Sequence, residues 1–240
     1  MDAVLDILAL AAHRDDIEQT CGGTLLKAAQ RGQRTGILDL TQGEMGTRGT
    51  AEQRAKEAAD AAKILGVSWR RALDLPDSRV ENTWENRLKV ATAIRETRPR
   101  VLILPYWKGR HPDHYTASQM CYEACFVAGL KNYSLGGLPF RPFKIIYAAA
   151  YADVRPTFAV DITEEYDQRR KAILAYASQF RPAKKDRKSR VALPLDDLED
   201  RMSTIARHYG RMIGVKFAEG FVVKEVMQVN DLVRMPVRSI

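Results

Sequence analysis

The sequence predicts one α/β domain, a mostly parallel sheet flanked by helices, and three observations carry that expectation. Short apolar runs rich in Val, Ile and Leu alternate with stretches of helical period along most of the chain, the pattern of repeated strand-helix-strand units. The chain has 240 residues, enough for one sizeable core and short of two. With 45% hydrophobic and 28% charged residues and a mean hydropathy of -0.33, its composition excludes the disordered, collagen-like and membrane-embedded classes. Residues 1–240 are therefore read as a single domain.

The elements follow in order. Residues 4–12 predict a first buried strand, 17–31 a helix and 35–40 the next strand, with Gly32 and Gly36 punctuating the connection. Thr50 opens an alanine-rich helix whose apolar positions Ala55, Ala58, Ala59, Ala62 and Leu65 share a face, closed by Gly66. Residues 73–75 read as a short strand. A helix over 85–97 is stopped by Pro99, which has no amide to donate, and 101–104 is a short buried strand ending at Pro105. Residues 117–128 are helical, 144–151 and 157–160 read as strands, 164–178 and 198–212 as helices, and 220–223 as a last strand. Residues 132–143, with Gly and Pro-Phe clusters and no period, predict a loop. Together with the basic run 181–190 it is the expected place for a mobile flap or an oligomer contact.

The formal net charge of +8 and a pI near 9.4 favour anionic partners without choosing among nucleic acid, membrane surface and small anions. The most basic stretch, RPAKKDRKSR at 181–190, has no interleaved aromatics and no binding motif, so it reads as a solvated loop and nucleic acid is not an expected partner. The apolar stretch 7–12 is far shorter than the ~20 residues of a membrane span, and neither a membrane contact nor a targeting segment is expected. Three cysteines, Cys21, Cys121 and Cys125, are too few and odd in number for a disulfide framework, which points to a reducing compartment, the cytoplasm.

Open parallel sheets hold their ligands at the carboxyl ends of strands, so the residues after each strand carry the chemistry. The first strand runs into His13-Arg14-Asp15-Asp16 and lacks the glycine-rich turn that a dinucleotide's pyrophosphate needs. The strand at 101–104 leads through Tyr106-Trp107-Lys108-Gly109 into Arg110-His111-Pro112-Asp113-His114. Three of the four histidines thus fall in two strand-end clusters, each with neighbouring aspartates, and only His208 lies elsewhere. A catalytic zinc site takes three protein ligands and leaves a position for water. His13 and Asp16, three apart at a helix start, can reach one ion, and His114 from the neighbouring strand end completes a His2Asp set. Asp15 is then left beside the ion as a general base. His111, oriented by Asp113, is left as an imidazolium that stabilises an oxyanion and protonates a leaving amine. These are the roles that hydrolysis of an amide requires.

AAHRDDIEQTCGGTL and the later RHPDHYTAS resemble, in spacing and order, the LmbE-like (PIG-L) family of zinc-dependent N-deacetylases, which act on N-acetylglucosamine units of glycoconjugates. DLTQGEMGTRGTAEQRAKEAADAAKILGV, FAVDITEEYDQRRKAILAYASQF and FAEGF are similar to its bacillithiol-biosynthesis branch, whose members deacetylate N-acetylglucosaminyl-malate. The resemblance covers most of the chain. It implies a Rossmann-like fold, one Zn2+ per chain (other divalent ions substituting) on His13, Asp16 and His114, Asp15 as base, and His111 with Asp113 assisting the transition state. It also implies homo-oligomers, hexamers among bacillithiol-type members. Arg14 departs from the family, where proline or another small residue is usual, and is expected to point to solvent.

A malyl aglycone adds two carboxylates, for which a guanidinium is the natural fork. Arg48 and Arg54, with Glu44 beside the second strand end and Arg110 beside His111, are the expected substrate contacts. Tyr106 and Trp107 are candidates for the pocket wall, whereas the cysteines and His208 are expected to be structural. The same chemistry on a chito-oligosaccharide, a mycothiol precursor or another amide conjugate is the nearest alternative. A nucleic-acid-binding domain is the alternative of another class.

Overall fold

The computed structural model of the chain describes residues 4–180 and 195–237. Its strands are β1 (Ile7–Ala11), β2 (Thr35–Thr41), β3 (Trp69–Leu75), β4 (Val101–Pro105), β5 (Lys144–Ala148), β6 (Phe158–Asp161) and β7 (Ala218–Val222). They form one sheet in the order β3-β2-β1-β4-β5-β7-β6. The first five run parallel, and β7 is antiparallel to β5 and β6. This is the expected α/β domain with a mostly parallel sheet between helical layers.

Alternation along β1 shows how the layers are built. Leu8 and Leu10 enter one core with Val90, Ile94 and Met120, from helices α4 (Trp84–Thr97) and α5 (Pro112–Ala128). Ala9 and Ala11 enter another with Ile17 and Leu25, from helices α1 (Asp16–Thr20) and α2 (Gly22–Gln30). All four β1 side chains are fully buried, so each strand of the centre is covered on both faces and reads as a continuous apolar run. The remaining helices are α3 (Ala51–Ile64), α6 (Tyr166–Leu174), α7 (Ala177–Phe180) and α8 (Leu195–Ile213). Thr50 caps α3 as the sequence suggests, accepting from the Gln53 amide at 3.2 Å. Among the described residues no helix is long and apolar enough to cross a membrane.

Several elements differ from their sequence expectation, each for a tertiary reason. The helix expected over 17–31 is broken at Cys21, whose φ is -147°. At Gly23 a Cβ would meet Ile162 at 2.9 Å, and the free amides of Gly23 and Thr24 donate to the buried Glu219 carboxylate on β7 at 2.9 and 2.7 Å. That cap comes from 196 residues away and is invisible to local periodicity. The helix expected over 117–128 begins at Pro112 with His111 as its cap, because proline at a first helical position gives up an amide that has no partner there anyway. The strand at 73–75 extends back to Trp69, the one at 144–151 stops at Ala148, and 164–178 divides into α6 and α7. The 132–143 loop is pinned at its start rather than free: buried Arg95 donates to the carbonyls of Ala128, Leu130, Tyr133 and Leu135. The basic run 181–190 lies outside the described residues.

Candidate active site

Chain order reverses between β1 and β4: β2 and β3 lie to one side of β1, β4 and β5 to the other. A crevice forms at such a switch point, above the carboxyl ends of the two strands. Here it is a cavity of about 270 Å³, lined by Leu10 and Ala11 of β1, Ile103 and Leu104 of β4, and His13, Asp16, His111 and His114. His13 follows β1 by two residues, Asp16 opens α1, His111 caps α5 and His114 lies in that helix's first turn. The two clusters read from the sequence are therefore one site.

Within it, three donor atoms form a small triangle. His13 Nδ1 is 3.4 Å from Asp16 Oδ2, Asp16 Oδ2 is 3.2 Å from His114 Nε2, and His114 Nε2 is 3.3 Å from His13 Nδ1. Ligands at about 2.0–2.1 Å around a tetrahedral ion are separated by about 3.3–3.4 Å, so the triangle has the dimensions of one tetrahedral face. A second grouping, His13, His111 and Asp113, also converges. Both carboxylates accept an amide, Asp113 Oδ2 from Ser78 at 2.8 Å and Asp16 Oδ2 from His13 at 2.9 Å, but in the second grouping His111 Nδ1 is also taken by the Asp113 amide at 3.2 Å and His13 Nε2 faces Asp77 at 3.1 Å. The His13-Asp16-His114 donors fit a divalent ion better.

The far side of His13 is anionic. Its Nε2 lies 3.2 Å from Asp113 and 3.1 Å from Asp77. Burial alone would depress the His13 imidazole, but the carboxylates of Asp113, Asp16 and Asp77 overcome it and push the ring up to about 12, the behaviour of a position built to hold positive charge. Burial opposes ionisation of Asp16 too, yet His114 and His13 hold its carboxyl well below the usual range. Burial, then the Asp16 charge, raise Asp15 to about 7 against the pull of Arg54. Such carboxylate backing orients a ligating imidazole and fixes which nitrogen is free for an ion.

This geometry corrects one expected pairing. Asp113 does not orient His111; it turns to His13 and to the amides of Ser78 and Val80. His111 instead accepts a backbone amide at Nδ1, so its neutral ring carries hydrogen on Nε2. Burial and the neighbouring His13 and His114 lower its pKa further. It is a neutral donor in this arrangement, not an imidazolium.

Other expected contacts also move. Arg54 is 4% exposed and reaches neither solvent nor the cavity. It donates to Asp15 Oδ1 at 3.2 Å and to the Gly43 carbonyl at 2.8 Å. Arg48 bonds the Gln179 carbonyl away from the cavity, and Glu44 accepts the Asp77 amide at 2.8 Å, which steadies the carboxylate behind His13. Arg14 is buried rather than solvated, donating to the Ala51 carbonyl at 2.6 Å. Of the expected substrate contacts only Arg110 lines the cavity, together with Tyr106, while Trp107 packs on Tyr106 and Tyr147 outside it. The three cysteines are buried free thiols, as expected.

Under the site, α1 is tied down by buried charge. Arg70 forks onto Asp39 at 2.8 and 3.0 Å and reaches Glu18 at 2.6 Å, and Tyr176 donates to the same Glu18 oxygen. Arg169 bonds Glu219 and the carbonyls of Glu18 and Gln19. The helix that carries Asp16 is thus held from both ends of the fold.

Four residues of the site escaped the sequence reading. Asp77 and Tyr151 follow the ends of β3 and β5, where the strand-end rule applied to those strands finds them. Gln19 lines the cavity and donates to Asp15 Oδ2 at 3.3 Å, one helical turn on. Arg201, on α8, lines the cavity with no local signal at all. Apart from Asp16, the wall contains no carboxylate and three cations, Lys108, Arg110 and Arg201.

The family model described as GlcNAc-PI de-N-acetylase, PIG-L, matches residues 8–125. The chain is 32% identical over 233 residues to diacetylchitobiose deacetylase of Thermococcus kodakarensis, covering 90% of this chain and 82% of the relative. Among solved structures it is similar to the conserved protein TT1542 from Thermus thermophilus, at 41% identity and a TM-score of 0.85 over 95% of this chain and 98% of that one. It is also similar to N,N'-diacetylchitobiose deacetylase from Pyrococcus horikoshii complexed with its inhibitor MPG, at 28% identity and a TM-score of 0.78 over 90% and 82%.

Proposed function

Because the chain belongs to the PIG-L (LmbE-like) family of deacetylases, we propose that it is a zinc-dependent hydrolase that removes the acetyl group from an N-acetylglucosamine unit of a small anionic glycoside, N-acetylglucosaminyl-malate. The observation that carries this reading is the triangle of donor atoms in the cavity, with edges of 3.2–3.4 Å. The malyl part is supported by the resemblance in sequence and by a wall with three cations and no carboxylate besides Asp16.

His13, Asp16 and His114 hold the ion, which when bound polarises the amide carbonyl and acidifies water. Asp15 is not in the cavity lining but stands beside its Asp16 corner; 15% exposed in its side chain and steadied by Arg54 and Gln19, it takes the proton from the attacking water. His111 donates from Nε2 to the carbonyl oxygen as charge develops on it. The new C–O bond then replaces the C–N bond, the proton held by Asp15 passes to the departing nitrogen, the other proton of the attacking water stays on the new hydroxyl, and acetic acid, which ionises in water, and a free amine leave. Asp113 and Asp77 act through His13, fixing its ring.

Wild type is expected to release free amine from N-acetylglucosaminyl-malate with a kcat/KM roughly 10- to 100-fold above that for N-acetylglucosamine or its methyl glycoside, the effect of one charge-assisted contact of ~1.5–3 kcal/mol. Equal rates on all three would remove the malate assignment and leave deacetylation standing; no amine from any of them would remove both. Asp77→Asn is expected to weaken divalent-metal binding by about 10- to 100-fold, the range for loss of a carboxylate behind a ligating histidine. Chelator competition measures it, and an unchanged metal affinity would show that Asp113 alone orients His13.

Homo-oligomers are part of this reading. Val226, Leu232 and Val233 of the C-terminal stretch, 97%, 81% and 95% exposed, and Phe126 on the outer face of α5 support it by offering apolar surface to a second copy. The free buried thiols support a reducing, cytoplasmic setting.

A further inference from the structure

Resting on that reading, we propose that Arg201 and the small cavity it borders form a subsite for a carboxylate on the substrate's aglycone. Gln19, Tyr151 and Arg201 line both the main cavity and a neighbouring one of about 50 Å³, so the two share a wall. At roughly 10–15 Å³ per water-sized group, the smaller space takes three or four atoms, the size of a carboxylate. Leu198, Met202 and Ile205 make one side of it apolar, and its charged groups are Arg169 and Arg201.

The two arginines differ in what they have left to offer. Arg169 is 3% exposed and already bonds Glu219 at 3.0 Å and two carbonyls of α1. The other arginines beneath the site are matched as well, Arg54 with Asp15 and Arg70 with Asp39 and Glu18. Arg201 is exposed and has no ion pair among the described residues. Solvent satisfies its guanidinium while the cavity is open. A ligand that covers it displaces that water, and an anion is what then satisfies a covered, two-pronged cation.

Position favours the aglycone over the acetyl group. The ring of Tyr151 stacks on His114, with centroids 5.3 Å apart and planes 14° from parallel, and borders both cavities. Arg201 therefore stands one aromatic side chain away from the metal ligands. In an amino-sugar glycoside the acetamide nitrogen and the glycosidic oxygen sit on adjacent ring carbons, so a carboxylate a few bonds beyond the anomeric carbon falls within that reach. Arg48 and Arg54, which the sequence favours for this contact, line neither cavity.

The test compares N-acetylglucosaminyl-malate with methyl N-acetylglucosaminide in wild type, Arg201→Ala and Arg201→Lys, alongside calorimetric titration of malate itself. Arg201→Ala is expected to cut the malyl-over-methyl preference in kcat/KM by about 10- to 100-fold, through KM rather than kcat, with partial recovery in Arg201→Lys and malate affinity lowered by a similar factor. A preference that survives Arg201→Ala overturns the subsite and moves the contact to Arg110 or Lys108. An equal loss on both glycosides also overturns it, by showing a structural role. Should wild type deacetylate neither glycoside, the functional reading fails on its own and the malate titration still decides: no binding by wild type, or equal affinity in wild type and Arg201→Ala, overturns the subsite.

Discussion

Replacing His114 with alanine is expected to strip the chain of its divalent ion and of its deacetylase activity together. His114 supplies one corner of a three-membered donor triangle, and the two remaining donors, His13 Nδ1 and Asp16 Oδ2, are 3.4 Å apart on one strand-to-helix turn. Tight zinc sites bind by about 10–16 kcal/mol over four positions, which puts one ligand at roughly 2.5–4 kcal/mol and its loss at roughly 100- to 1,000-fold in affinity. The fold is expected to survive, because alanine is the best helix former and His114 sits in the first turn of α5 facing the cavity. Elemental analysis after gel filtration, with circular dichroism as the control, measures this. Equal metal in wild type and variant would mean that the ion sits on the other grouping, His13, His111 and Asp113.

The second large effect is expected at Asp15. Asp15→Asn should keep its metal and lose turnover by ~100- to 10,000-fold, the range for removal of a general base. The variant also leaves the Arg54 guanidinium, 5% exposed in its side chain, without its carboxylate. Uncovering one partner of a buried pair costs about 3–5 kcal/mol, so a lowered melting temperature accompanies the kinetic loss. Arg54→Gln separates the two effects, because it removes the pair and leaves the base: it should share the destabilisation and retain far more turnover. Asp16→Asn should instead release the metal. If Asp15→Asn loses the ion and Asp16→Asn keeps it, the two aspartates exchange roles.

Much of this site was legible in one dimension. His13, Asp15 and Asp16 stand at the end of an uninterrupted apolar strand, and His111, Asp113 and His114 after another. A parallel sheet brings strand ends to one edge whatever fills its core. The spacing of His13 and Asp16 also foretold that their donor atoms meet, since three residues at a helix start bring side chains to one side. What local pattern misjudged was partnership. Asp113 looks like the orienting group of His111, two residues away, yet its carboxylate serves His13, 100 residues away. Arg54 looks like a fork for a substrate carboxylate and is sealed against Asp15, 39 residues away.

The fold class, the strand-end address of the chemistry and the candidate ligands His13, Asp16 and His114 could be read from the chain alone, because strand period, helix period and strand polarity are properties of the local chain. Long-range packing, by contrast, sets which carboxylates back His13, breaks α1 from α2 over Gly23 and Glu219, brings Arg54 to Asp15 and places Arg201 in the wall of the cavity. Those are contacts between segments tens to hundreds of residues apart. Which of many similar charges meet there depends on the packing of the layers, and no residue's neighbours along the chain encode it.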